Sequence, residues 1–118
     1  AVLAWVAGFD TIYSCQDAEF DRQSGLHSLP ARIGVRNALR AARGFHVAAI
    51  ACLVAVYAAA QVHPLYLGGV AAIAGLLAWE HSLVRADDLS RVNAAFFTLN
   101  GWVSVAYLAV TLAAIAAA

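Results

Sequence analysis

Three runs of the chain are apolar for long enough to approach or reach the roughly 17 to 25 residues that one helical membrane crossing requires. They cover residues 45–62, 65–79 and 94–118, and the middle run, though short, ends on Trp79, a residue suited to a membrane interface. Residues 1–16 read as the last turns of a fourth crossing. The end of that segment carries Asp10, Thr11, Tyr13, Ser14 and Gln16, a face that lipid would not tolerate and that must look into protein. Pro64 breaks the short uncharged connection after residue 60, which predicts a tight turn between antiparallel helices. Small residues at Gly68, Gly69, Ala71 and Gly75 predict close helix packing. The pattern gives an all-α, polytopic transmembrane helical bundle.

Composition agrees with that pattern, since 64% of the residues are hydrophobic and only 12% charged, against roughly 25% charged in an average soluble domain. All 7 basic residues are arginines. Arg22, Arg32, Arg36, Arg40 and Arg43 fall in residues 17–43, and Arg85 and Arg91 in residues 80–91. If each span crosses once, these two loops share a side, and the positive-inside rule makes it the cytoplasm. A net charge of zero gives no overall attraction for nucleic acid. Cys15 and Cys52 lie in separate apolar segments without metal-type spacing and read as small buried side chains. The chain opens on Ala1 inside an apolar run, with no basic flank, so it reads as part of a longer protein.

Candidate chemistry concentrates where the first span ends. Asp17 and Asp21 stand four apart, so on a helix they project from one face a turn apart, and Asp10, seven before Asp17, returns to nearly the same stripe. Like charges at that spacing repel, and more so when partly desolvated, which calls for a cation between them. Mg²⁺ fits, because it prefers oxygen and commonly takes one or two carboxylates plus phosphate oxygens. A solvated helix end balanced by Arg22 accounts for the same spacing. Downstream, Ser28 is placed to cap a short helix begun by Pro30, and Arg32, Arg36, Arg40 and Arg43 recur as one basic stripe. Guanidinium groups match phosphate oxygens bidentately, although arginines at a membrane surface also anchor to anionic headgroups.

At these residues the chain resembles the UbiA superfamily of intramembrane prenyltransferases. The likeness lies in its second aspartate-rich motif, D-x-x-x-D followed by G-x-x-S and a further Gly, here Asp17, Asp21, Gly25, Ser28 and Gly34, with Tyr13 ahead of it. Gly8-Phe9-Asp10 and the string from Ala95 to Gly101 are similar to the 4-hydroxybenzoate polyprenyltransferase-like branch, and within it to members assigned to menaquinone synthesis by the futalosine route. The resemblance implies that residues 1–118 are the carboxyl-terminal part of a nine-helix bundle around a cavity. It implies two facing aspartate-rich motifs that hold Mg²⁺ and an isoprenyl diphosphate. The first motif, usually N-D-x-x-D, would lie in a missing amino-terminal half, so this part alone is expected to be inactive.

The resulting expectation is a Mg²⁺-dependent polyprenyltransferase of ubiquinone or menaquinone biosynthesis, in a bacterial inner membrane with its active-site loops cytoplasmic. Its partners would be an isoprenyl diphosphate, an aromatic acceptor and the lipid bilayer, and no nucleic acid. Asp17 and Asp21 are the expected metal and catalytic ligands. Asp10, Tyr13, Arg22, His27, Ser28, Arg32 and Asn100 are the expected substrate contacts, with His27 standing where relatives commonly carry Lys. Tyr13 also suits helix packing, and Asn100 an interhelical hydrogen bond. His46 and His63 are expected at helix ends, facing the surface or capping, and Glu80-His81 and Asp87-Asp88 in a solvated loop. Competing readings are a haem or chlorophyll prenylation enzyme of the same superfamily, and a cation-transporting module that uses Asp10, Asp17 and Asp21.

Overall fold

Every apolar run is helical in the computed structural model, which describes residues 1–118. Helix α1 (Val2–Ser14) passes through a single 3₁₀ turn, Cys15–Asp17, into α2 (Ala18–Gln23), and α3 (Leu29–Ile33) precedes the long α4 (Val35–Ala60). After the turn at Pro64 come α5 (Leu65–Leu83), a π-helical stretch at Ala94–Leu99 and α6 (Asn100–Ala116). Helix α4 and the 94–116 segment are long and apolar enough to cross a membrane by length and composition. Helix α5 has 19 residues, but Glu80 and His81 make its last turns polar.

The four long helices pack in a ring, α1 most closely on α4 and α5 on α6, within an envelope of 54 × 24 × 17 Å. Two apolar clusters fill it. One joins Ile12, Cys15, Ala38, Leu39, Ala42, Val84, Val92 and Ala95, and the other Leu53, Tyr66, Val70, Ile73, Leu77, Val103 and Ala114. Only 25 of 118 residues are buried, whereas Trp102, Val105, Leu108, Leu112 and Ile115 line an exposed apolar face of α6. Water would penalise that face, and lipid or further helices would not.

Close approach decides the packing at two glycines. A methyl group on Gly8 would collide with the His46 imidazole, and one on Gly69 with the Val110 side chain. The connections close by local chemistry. Ser28 caps α3 by accepting from the Ala31 N–H at 3.3 Å, and His63 Nδ1 accepts from the Leu65 N–H at the start of α5. After α5, Arg85 and Asp88 exchange backbone hydrogen bonds of 3.1 Å. Ser90 donates its hydroxyl and its backbone N–H to Asp88 Oδ1, at 2.6 and 3.0 Å, which holds the Asp88 carboxyl below the usual carboxylate range.

The helix boundaries revise several sequence expectations. Gly34, at φ 84° and ψ 156°, separates α3 from α4, so Arg32 leaves the stripe that Arg36, Arg40 and Arg43 continue. Helix α4 starts at Val35 rather than near Phe45, which puts His46 in mid-helix, where it is buried instead of facing the surface. Helix α5 runs past Trp79 to Leu83, so Glu80 is an interior residue of a helix and fully buried, not part of a solvated loop. Cys15 is buried as expected, but Cys52 is exposed on the outward face of α4. The 3₁₀ turn also interrupts the single helix on which Asp10, Asp17 and Asp21 would share one stripe.

Candidate active site

Polar residues survive in the last turns of α1 because the helix satisfies them itself. Thr11 Oγ1 donates to the Ala7 carbonyl at 2.7 Å, Ser14 Oγ to the Thr11 carbonyl at 2.9 Å, and Cys15 Sγ to the same oxygen at 3.3 Å. Back-bonding of this kind loosens a helix, and α1 tightens here into the 3₁₀ turn that ends at Asp17. With φ −104° and ψ 6°, Asp17 is the N-cap residue of α2, and Asp21 lies in the first turn of that helix.

Asp10 and Asp17 are exposed and Asp21 is half-buried. The ion pairs of the molecule are Arg22 with Glu19 at 2.7 Å and Arg85 with Asp87 at 3.5 Å, and the His46 imidazole stands 3.7 Å from Glu80. None of them engages the three aspartates. Arg22 and Gln23 both turn to Glu19, at 2.7 and 3.0 Å, so neither pairs with Asp17 or Asp21.

Aromatic rings build the wall beside this acidic end. Tyr13 stacks at a tilt on Phe96, with centroids 4.3 Å apart, and meets Phe97 edge-on at 6.2 Å. Phe9 packs edge-on against Phe96 at 5.2 Å and against Trp5 at 5.6 Å. Phe96 and Phe97 are presented by the π-helical stretch, a widened turn of a kind that recurs at functional sites. Asn100 ties the same helices together: the Trp5 indole N–H donates to its Oδ1 at 3.0 Å, and its Nδ2 donates to the Phe96 carbonyl at 2.8 Å.

A model of the UbiA prenyltransferase family matches residues 1–102. The chain belongs to that family. No curated protein and no solved structure compared with it matches. Members of the family are prenyltransferases of the membrane, in agreement with the all-helical fold and the two span-length apolar helices of this UbiA chain.

Of the residues expected at the site, the fold brings Asp10, Tyr13, Asp17 and Asp21 to one end of α1 and the start of α2. His27 and Arg32 are exposed, and Ser28 is committed to capping α3. Asn100 is 9% exposed and its amide is engaged inside the protein. Arg36, Arg40 and Arg43 line a cleft with Arg85 and Asp87, so the later arginines of the stripe face the loop after α5. The buried group formed by His46, Glu80 and His81 escaped sequence reasoning, because its members stand 35 residues apart with helix-end residues as neighbours.

No group of three or more His, Cys, Asp or Glu side chains converges closely enough to hold a metal ion on its own. Two unpaired carboxylates nevertheless fit Mg²⁺. That ion dehydrates reluctantly and is commonly held by one or two carboxylates, with phosphate oxygens and water completing the shell.

Proposed function

We propose that this UbiA chain carries one half of a Mg²⁺-dependent polyprenyltransferase site that serves an aromatic acceptor in quinone biosynthesis. The acceptor would be of the 4-hydroxybenzoate or futalosine-route type. The observation that carries the reading is the pair Asp17 and Asp21. They stand four residues apart at the α1–α2 junction, free of any ion pair, one turn after Tyr13, whose ring packs on Phe96 and Phe97. Asp17 and Asp21 would hold Mg²⁺, whose charge at the diphosphate stabilises the leaving group as the allylic C–O bond breaks.

The chain's own residues supply the rest. The arginines of residues 17–43 would add positive potential for the diphosphate at the polar mouth of the bundle, while the carboxylates would hold the cation against which it sits. The ring faces of Tyr13, Phe96 and Phe97 offer negative electrostatic potential to a developing allylic cation. Their bulk keeps water from quenching it. The aromatic acceptor then forms the new C–C bond and releases its ring proton. Membership of the family favours this reading over a cation-transporting module.

The test is transfer of a radiolabelled prenyl group by the full-length protein in membranes, with and without a chelator. Asp17→Asn and Asp21→Asn keep shape and remove charge, so each should lower transfer on the order of 10²-fold or more while the protein still inserts. Full activity of both folded variants would overturn the assignment.

A further inference from the structure

Between the two apolar clusters lies a polar layer that the prenyl-transfer reading does not use. It consists of His46 of α4, Glu80 and His81 of α5, Asn100 of α6 and the Trp5 carbonyl of α1. Glu80 is 0% exposed, and its carboxylate oxygens make no hydrogen bond of good geometry, the Asn100 amide being the polar side chain of α6 beside them. His46 is 3% exposed. A bare carboxylate in such a place is strongly disfavoured unless something neutralises it.

Hydrogen-bond bookkeeping says what that something is. His46 Nε2 lies 3.2 Å from the Trp5 carbonyl oxygen, which only accepts, so Nε2 carries a hydrogen. In neutral His46 the other nitrogen, Nδ1, is then bare. Nδ1 stands 2.9 Å from His81 Nε2 and 3.7 Å from Glu80 Oε2. With Glu80 ionised and both imidazoles neutral, the layer would hold a net negative charge, and His46 Nδ1 would have no hydrogen to offer Glu80 Oε2. One additional proton removes both problems, either as a neutral Glu80 carboxyl group or as a His46 imidazolium beside Glu80.

We propose that His46, His81 and Glu80 form a proton-binding site that holds one proton among them and is loaded through His81. Access follows from the fold. His81 is partly exposed and lines an open groove between α4 and α5 with Arg43 and Ser82; the nearly buried His46 reaches the same groove, and Glu80 lies behind both. A proton taken from water by the outer nitrogen of His81 displaces the Nε2 proton toward His46 Nδ1, and from there it reaches Glu80 Oε2. Every element packed on the layer is accounted for: α1 offers a carbonyl and Gly8, α4 the guanidinium of Arg43, and α6 the neutral Asn100. On its solvent side His81 faces Arg43 and also lines the cleft of Arg36, Arg40, Arg85 and Asp87, so the fixed charges at the mouth are four arginines and one carboxylate.

The site is tested on the full-length protein in lipid by infrared spectroscopy with ¹³C-labelled glutamate and by nitrogen magnetic resonance of ¹⁵N-labelled histidine. At neutral pH the expected result is a protonated-carboxyl band that Glu80→Gln removes, or an imidazolium signature at His46 that the same variant abolishes. If Glu80→Gln does not fold, Glu80→Asp should shift the band instead. His81→Leu should slow deuterium exchange of the bound proton at least tenfold, and unchanged exchange would overturn the entry route. An ionised Glu80 beside two neutral imidazoles in the wild-type protein would overturn the site itself.

Discussion

At the scale of single residues, absence of a side chain does as much as its presence. Gly8 and Gly69 lie where a methyl group would meet the His46 ring and the Val110 side chain. Gly68 and Gly44 face open space. Val110 is β-branched and stiff, so it cannot swing away cheaply. Gly69→Ala should therefore destabilise the bundle by about 1–3 kcal/mol, whereas Gly68→Ala should be neutral or stabilise α5 by about 0.5–1 kcal/mol. Thermal unfolding of the two variants in the same detergent compares them directly, and equal melting temperatures would refute the packing argument. The sequence marks these glycines as small residues for helix packing but does not say which of them touch. That depends on which face α5 turns to α6, a choice made by the whole bundle.

At the scale of elements, the decisive feature is where helices stop. A periodic stripe from Arg32 to Arg43 suggests one continuous helix, but Gly34 adopts φ 84° and ψ 156°, a region essentially restricted to glycine. The break lets α3 turn away with its Ser28 cap while α4 begins anew at Val35. Gly34→Ala should cost about 1–3 kcal/mol for strained backbone. Gly44→Ala, inside α4 with nothing close to its added methyl, should be neutral or stabilising. Limited proteolysis near residue 34 reads the difference, with Gly34→Ala cut faster, and equal rates for the two variants would show that the break is not held by glycine. The junction at Cys15–Asp17 carries the same lesson. Spacing puts Asp17 and Asp21 on a common face, but a tightened turn follows the self-bonded hydroxyls of Thr11 and Ser14 and separates α1 from α2.

At the scale of the whole molecule, arginine asymmetry is the feature that sets orientation. Every arginine lies in residues 17–43 or 80–91, and none lies near the turn after α4. The turn should therefore face the outside and the Asp17–Asp21 end the cytoplasm. Single cysteines at Gln23 and Gln61, in a background lacking Cys15 and Cys52, test this. Gln61→Cys should react with an impermeant thiol reagent in intact cells and Gln23→Cys only after the cells are opened. Labelling of Gln23→Cys from outside would reverse the topology and remove the cytosolic route for a diphosphate substrate. The exposed apolar face of α6 belongs to the same scale, since only a membrane or neighbouring helices make Trp102, Val105 and Leu108 tolerable at a surface.

The sequence by itself determined the helical class, the existence of long apolar helices, the clustering of arginines, the capping role of Ser28 and the acidic pair at Asp17 and Asp21. Each depends on neighbours within a few turns, and local pattern records such neighbours faithfully. Tertiary structure alone decided that His46 and Glu80 are interior, that Tyr13 lies on Phe96 and that Asn100 receives the Trp5 indole. Those contacts, with that of His46 on His81, join residues 35, 83 and 95 positions apart. They form because four helices bury their smaller faces against one another, and a polar side chain caught in that interface must find its partner across helices rather than along one.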